Sequence, residues 1–276
     1  MRSHPATIAL PLFAPADRPD RYVKALTAAA DAVIFDLEDA VAPPAKENAR
    51  ASLLAARAAL ADAQCPVLLR VNAEGDPHHD ADLRLARDLP LTAILLAKAE
   101  SADSVRSVAQ FTGAPVVALI ETARGLAAAR AIAAAGARLA FGSIDFAADL
   151  GCAHERDALL VARCEIVLAS RLAGALPPWD GVTTAVKDAE AVRGDAAYAA
   201  SLGFGGKLLI HPAQIAPAAV GFRPSDDDIR WATRVVEASA SGGATAVDGA
   251  MIDAPVRLRA EQILERAAAR RTEPRQ

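Results

Sequence analysis

Read for its alternation of apolar and polar positions, the chain resolves into short apolar runs separated by segments of helical periodicity. The runs are TIALPLFAP, DAVIFDLED, PVLLRVN, TAILLAKAE, PVVALIE, RLAFGSIDF, DGVTT and GGKLLI. Most are near-continuously apolar, as strands buried on both faces are. Between them, segments such as KENARASLLAARAALADA and ESADSVRSVAQF repeat apolar residues at helical spacing. Asp20, Ser101 and Thr122 mark helix starts, and Gly113, Gly136 and Gly203 mark ends.

Strand runs alternating with helices predict a parallel sheet whose crossovers cover its outside. Eight such units over about 210 residues fit a closed α/β fold, the (β/α)8 TIM barrel. An open doubly wound sheet is the alternative, but no G-x-G-x-x-G follows the first run. The seventh run, in PPWDGVTT, has the weakest strand pattern. The barrel is expected over residues 1–222 and a C-terminal helical lid over 223–276. In that second part Ser225 and Asp226, Asp227 and Asp228 suit a helix N-terminus. Ser241, Gly242 and Gly243 read as a hinge, and RRTEPRQ as a frayed tail.

Composition narrows the picture. Apolar residues make up 53% of the 276, enough for a large core, but aromatics are only 4%, so Ala, Leu and Val must fill it. A net charge of −4 offers no general basic surface for phosphates, which argues against a nucleic-acid binder. The three cysteines have no C-x-x-C spacing and read as reduced thiols of a cytoplasmic protein. No signal peptide is read at the start, where Pro11 and Pro15 interrupt a short apolar stretch, and no run reaches membrane-spanning length.

In a parallel barrel the chemistry sits at the C-terminal ends of the strands. Those ends offer Glu38, Asp39, Arg70, Asn72, Lys98, Glu100, Glu121, Asp145 and His211. Strand ends meet solvent and can carry charge for that reason alone, yet most of these follow chain order around one rim. Glu121 and Asp145 come from neighbouring strands, and two close anions raise each other's pKa unless a cation lies between them. Arg124 or Arg70 is one candidate for that cation. A divalent metal is the other, and Mg2+ suits two carboxylates completed by water and ligand oxygens. Arg70, in an otherwise apolar strand, needs an anion, and its planar fork suits a carboxylate. His78 and His79 read as a solvated loop rather than a zinc site.

These residues carry a resemblance. The stretches LFAPADRPDRYVKAL, AVIFDLEDAVAPPAKENAR, LLRVNAEG, LAKAESADSV, LIETARGL, LAFGSIDFAADLG, GFGGKLLIHPAQI and DGAMIDAPVRLRAEQIL, in this order, resemble the citrate lyase β-chain family of the HpcH/HpaI aldolase superfamily. That family includes malyl-, citramalyl- and citryl-CoA lyases. The resemblance implies a TIM barrel that uses Mg2+ and acts on a small-molecule CoA ester, as a homo-oligomer (trimer or hexamer). It makes Glu121 and Asp145 the metal ligands and Arg70 the substrate clamp. Glu38 and Asp39 of DLEDAV would hold metal-bound waters. Glu121, Gly142 and Ser143 would line the substrate pocket, although GSIDF stands where many relatives have GAEDF. Asp253 of MID would act as acid/base in a neighbouring subunit's site. Arg18 and Lys24 would meet the phosphates of coenzyme A, although Ala16-Asp17 replaces the Gly-Asn or Gly-Ser often found before that arginine.

The activity so implied is cleavage of a 3-hydroxyacyl-CoA into acetyl-CoA and an α-keto acid by a retro-aldol/Claisen step. Three alternatives stay open: a thioesterase on the same esters, a citrate lyase β subunit acting on a carrier protein, and a ligand-binding barrel without turnover. Asp253 also reads as a helix N-cap ahead of Pro255.

Overall fold

The structure is a computed structural model, and it describes residues 8–240, 246–247 and 250–269. Eight strands form one parallel sheet in chain order: β1 (Pro11–Pro15), β2 (Ala32–Asp36), β3 (Val67–Val71), β4 (Ala93–Leu96), β5 (Val116–Ile120), β6 (Arg138–Phe141), β7 (Trp179–Asp180) and β8 (Gly206–Lys207). The last strand returns to the first. Lys207 N–H donates to Ala9 O at 2.8 Å, Leu209 N–H to Pro11 O at 2.9 Å, and Phe13 N–H to Leu209 O at 2.8 Å. That ring closure rules out the open sheet.

Two apolar layers explain why the strands are hydrophobic on both faces. Ile34, Leu68, Leu95, Val117, Leu119, Ala140, Trp179 and Leu208 fill the lumen. Their neighbours of opposite parity, such as Val33, Phe35, Leu69, Ile94, Ala118 and Leu139, join the layer beneath the helices. The helices are α1 (Tyr22–Leu26), α2 (Lys46–Ala55), α3 (Arg57–Ala61), α4 (His79–Asp88), α5 (Ala102–Thr112), α6 (Ala123–Ala134), α7 (Ser143–Leu150), α8 (Leu160–Leu172), α9 (Ala189–Leu202) and α10 (Ile215–Phe222).

Local signals act where expected at most ends. The Ser101 hydroxyl accepts from Ser104 N–H and the Thr122 hydroxyl from Gly125 N–H, each capping its helix. Gly113 and Gly203 end α5 and α9 in the left-handed conformation. Three details differ. Asp20 lies inside a short 3-10 turn (Pro19–Arg21) and bonds Arg18, while the α-helix starts at Tyr22. The run RLAFGSIDF is strand only to Phe141; from Ser143 it is helix, with Asp145 in the favourable first turn. His79 is buried in the first turn of α4, its Nδ1 2.7 Å from Asn72 O, so it is not a solvated loop residue.

Beyond the barrel, α11 (Asp226–Ala240) and α12 (Ala254–Ala269) pack through Ala232, Val235, Ala260 and Ile263, a small core of their own. Ser225 caps α11: its hydroxyl accepts from Asp228 N–H at 3.0 Å while the Asp228 carboxylate accepts from Ser225 N–H at 3.2 Å. Strands β9 (Ala246–Val247) and β10 (Ala250–Met251) pair antiparallel between these helices. The hinge read at 241–243 and the tail at 270–276 lie outside the described residues. No helix among the described residues is long and apolar enough to cross a membrane.

Candidate active site

Strand β2 ends on Asp36 and β3 carries Arg70 directly opposite, in register. Both share the parity of the lumen residues Ile34 and Leu68, so both face inward at the C-terminal rim. The Arg70 fork closes on Asp36, with Nε to Oδ1 at 2.7 Å and NH2 to Oδ2 at 2.6 Å. Its remaining nitrogen, NH1, reaches Glu38 Oε2 at 2.8 Å and Asp39 Oδ2 at 3.2 Å. Phe13 stacks under the guanidinium, 5.0 Å from ring centre. Burial alone would lower the Arg70 pKa, but Asp36, Glu38 and Glu121 outweigh it and hold the group charged.

The loop after β2 is built to aim these acids. Asp36 accepts from Glu38 N–H at 2.9 Å and Ala40 N–H at 3.1 Å. Buried Lys46 donates to Leu37 O at 2.8 Å, Glu38 O at 3.0 Å and Asn72 Oδ1 at 2.6 Å, which fixes the backbone on either side of Glu38. Burial raises the Glu38 pKa, against the pull of Arg70. For Asp39 burial also pushes upward, but Glu38, Arg70 and Lys98 more than reverse it, and the pKa falls.

Glu121 follows β5 and is only 1% exposed. Its Oε1 accepts from the Lys98 backbone N–H at 2.6 Å. Its Oε2 is buried without a hydrogen-bond partner. An orphan carboxylate oxygen is costly, and burial pushes this pKa up to about 8 even though Arg70 and Lys98 favour the anion. The space beside Oε2 exists because residue 142 has no side chain: a Cβ there would lie 2.5 Å from Oε2 and 2.5 Å from the Glu121 Cβ. Asp145 stands one helical turn further, in the first turn of α7 on the neighbouring strand's loop. It makes no hydrogen bond or ion pair among the described residues. Arg124 does not serve as the cation for these acids, since it lies 3.6 Å from Glu100 on the surface.

A buried acceptor lacking a donor and, on the loop of the next strand, a half-buried acid with no partner among the described residues are donor types that fit a hard divalent cation. Among the described residues no three His, Cys, Asp or Glu side chains gather into a cage. Two carboxylates leave room for water and ligand, which is how Mg2+ is commonly held.

Other expected site residues are placed differently. Ser143 is buried, with its hydroxyl 3.0 Å from His154 Nε2 and close against Gly181. Arg18 forks onto Asp20 at 2.9 and 2.8 Å on the surface, and Lys24 is exposed on α1. Asp253 is exposed and caps α12, accepting from Val256 N–H at 3.0 Å. Among the described residues it makes no hydrogen bond or ion pair with the rim.

Two residues with no role read from sequence belong to the site. Asp36 takes the whole Arg70 fork; its signal was parity, since it shares the lumen face with Ile34. Lys98 carries no pattern signal for its conformation, a left-handed φ of 44°. Its ammonium bonds Glu38 Oε1. Burial alone would lower the Lys98 pKa, and the Glu38 contact reverses that.

Fold and rim together define a TIM barrel that carries an arginine–carboxylate cluster and a buried, unpartnered glutamate oxygen at the C-terminal ends of its strands. Residues 10–212 match the HpcH/HpaI aldolase/citrate lyase family, and the chain belongs to that family of lyases. A citrate lyase subunit beta-like protein of Mycobacterium tuberculosis is 40% identical over 266 residues, covering 93% of this chain and 94% of that one. A (3S)-malyl-CoA thioesterase of Cereibacter sphaeroides is 35% identical over 94% of each. The crystal structure of CitE from Mycobacterium tuberculosis in complex with magnesium, acetoacetate and coenzyme A superposes with a TM-score of 0.84 at 38% identity, covering 95% of this chain and 98% of that one.

Proposed function

We propose that this protein is a Mg2+-dependent CoA-ester lyase that cleaves a 3-hydroxyacyl-CoA of the malyl, citramalyl or citryl type into acetyl-CoA and an α-keto acid. The observation that carries this is the orphan Oε2 of Glu121 in the space kept open by Gly142. Glu121 and Asp145 would hold the metal. Bound there, Mg2+ supplies Lewis acidity toward the substrate's oxygens and a template for its orientation.

The chain's own residues do the rest. Arg70 keeps a fixed positive charge at the lumen mouth. Since Asp36 holds its fork, a substrate anion meets the NH1 edge, where the more exposed Asp39 is the partner to exchange. Glu38 and Asp39 keep that edge aimed and balance its charge between turnovers. The Asp253 carboxylate would take the substrate's hydroxyl proton, which lets the C–C bond break. The electron pair of that bond passes to the departing acetyl-CoA as its enolate, while the hydroxyl carbon becomes the ketone of the α-keto acid. The same proton, returned by Asp253 to the enolate carbon, then completes acetyl-CoA.

In this reading Asp253 belongs to a neighbouring copy in a homo-oligomer, and residues 223–276 act as the lid. Its capping role and its chemistry are compatible, because a cap needs one carboxylate oxygen. Arg18 and Lys24 would meet coenzyme A, Arg18 after exchanging Asp20 for phosphate. Gly142 and Ser143 would line the acyl pocket through backbone, since the Ser143 hydroxyl is engaged elsewhere. The protein would work in the cytoplasm, in line with cysteines that show no C-x-x-C spacing.

The test is the purified protein alone, with Mg2+, on a panel of CoA esters, with products resolved. Acetyl-CoA and keto acid in equal amounts support the lyase. Glu121→Ala and Asp145→Ala should each abolish turnover and weaken Mg2+ binding together. Free coenzyme A with an intact acid instead would establish thioester hydrolysis, the second reading, favoured by the malyl-CoA thioesterase relative. Turnover only with an acyl-carrier protein would mark a carrier-dependent β subunit. Full activity of both variants in chelator would refute the metal site.

A further inference from the structure

We propose that Lys98 is a substrate-binding residue: its ammonium leaves Glu38 and binds the carboxylate of the acyl portion. The proposal rests on the lyase reading for the identity of the substrate, but its physical basis is the charge arrangement at the rim.

An anionic acyl group must find a cation among Asp36, Glu38, Asp39, Glu121 and Asp145. A second cation is needed to hold the anion against these acids, because Arg70 offers only its NH1 edge, by exchange of Asp39. Its fork is on Asp36, its NH1 lies between Glu38 and Asp39, and its side chain is only 10% exposed. Lys98 has a 40% exposed side chain whose ammonium makes a single carboxylate contact, at Glu38 Oε1. An ammonium has three donors, so two remain for other acceptors. The ammonium end of this pair reaches solvent, so it can exchange its partner without moving the buried Glu38. Releasing Lys98 does not leave the Glu38 carboxylate without a cation, because its other oxygen keeps Arg70 NH1 at 2.8 Å.

The backbone holds Lys98 in place for this. Its N–H is committed to Glu121 Oε1 at 2.6 Å, so the stem springs from a point one hydrogen bond from the presumed metal ligand. Among the described residues only Ala29 and Lys98 are non-glycine with positive φ. Ala29 lies in an exposed turn, whereas Lys98 sits at the rim. A lysine held in a conformation that favours glycine, at the mouth of the site, is a place where side-chain chemistry outweighs backbone comfort. With the ammonium on one side and the metal ligands on the other, the site would select acyl groups that carry a carboxylate.

The experiment separates backbone from ammonium. Lys98→Gly keeps the N–H to Glu121 and relieves the φ, while deleting the charge; Lys98→Met deletes the charge and keeps the stem; Lys98→Arg keeps a cation. Binding of pyruvate and of its neutral methyl ester is measured by calorimetry in saturating Mg2+, alongside Mg2+ affinity. The expected result is about a ten- to hundredfold loss of pyruvate affinity in Lys98→Gly and Lys98→Met, with little change for methyl pyruvate. Lys98→Arg should recover much of the loss, and Mg2+ affinity of Lys98→Gly should match wild type. On a CoA ester the loss should appear mainly in KM. Equal losses for both ligands, or none, overturn the proposal. If the wild type binds pyruvate but cleaves no CoA ester, the lyase reading fails and the pyruvate comparison still decides Lys98. If the wild type binds no keto acid, both fail.

Discussion

Replacing Gly142 with alanine probes the presumed metal site without touching a charge. Gly142 has φ −83° and ψ 69°, and its N–H donates to Ile120 O at 2.9 Å, so the backbone itself needs no glycine. The cost arises from the new methyl, which would lie 2.5 Å from both the Cβ and Oε2 of Glu121 and 3.2 Å from its Cδ. The Cβ cannot swing away, being fixed to the end of β5, and Oε1 is tied to Lys98 N–H. Strand or loop must therefore yield. Overpacking of this kind costs about 1–3 kcal/mol. In a chain of this size each kcal/mol corresponds to roughly 2–4 °C in Tm. Moving Oε2 out of its cradle should weaken Mg2+ binding about ten- to a hundredfold, the usual effect of disturbing a ligand's support. Thermal melts with and without Mg2+, and calorimetric Mg2+ titration, read both quantities. Gly113→Ala is the control. It places a Cβ in open space at φ 71°, costs about 1 kcal/mol through backbone strain alone, and should leave Mg2+ affinity unchanged. Wild-type Mg2+ affinity in Gly142→Ala would show that the orphan oxygen is not a metal ligand.

Asp253→Asn should fold and bind Mg2+ like wild type, because asparagine caps a helix as well as aspartate does, yet lose C–C cleavage. Co-expressed with Glu121→Ala it should regain part of the activity in mixed oligomers; verified mixed oligomers that stay inactive would return the tail to its own barrel or to no site. Asp195 holds Arg156 at 2.9 Å and the Thr183 hydroxyl at 2.8 Å. Burial alone would raise its pKa, but these two bonds bring it below the ordinary carboxylate value. The stabilisation is therefore present above the unfolded value near 3.8 and is lost as pH falls through the folded one. Asp195→Asn should lower stability by up to about 1 kcal/mol near neutrality, given the screening of a partly exposed pair. That difference should fade in acid; urea melts showing the same difference at both pH values would contradict the assignment.

Much of the architecture was legible because it depends on local chemistry. Runs apolar at every position belong to strands buried on both faces, while the open sheet that stayed as an alternative was excluded only by the bonds that join the last strand to the first. The caps at Ser101, Thr122 and Ser225 need only a short side chain and the next turn's N–H groups, so they were readable without any tertiary context. The acids at the ends of β2 and β5 stood out for the same reason, as charges closing apolar runs.

The less legible features depend on neighbours distant in sequence. DLED presents three acids to Arg70, and only the register of β2 against β3 decides that Asp36 takes the fork. β7 is reduced to Trp179–Asp180, a length set by its pairing with β6 and β8 rather than by its own sequence. The glycine of GSIDF opens a helix instead of continuing a strand, and it matters because it leaves the space beside a carboxylate at the end of the neighbouring strand. Lys98 reads as one more rim charge until its left-handed φ and its two carboxylate contacts are seen together. Composition and periodicity thus determined which residues would be buried, capped or left at the rim, because burial and capping are decided within a few residues. Which rim charges neutralise one another, and which oxygen is left without a partner, was decided only when closure of the barrel brought separate strands within hydrogen-bonding distance.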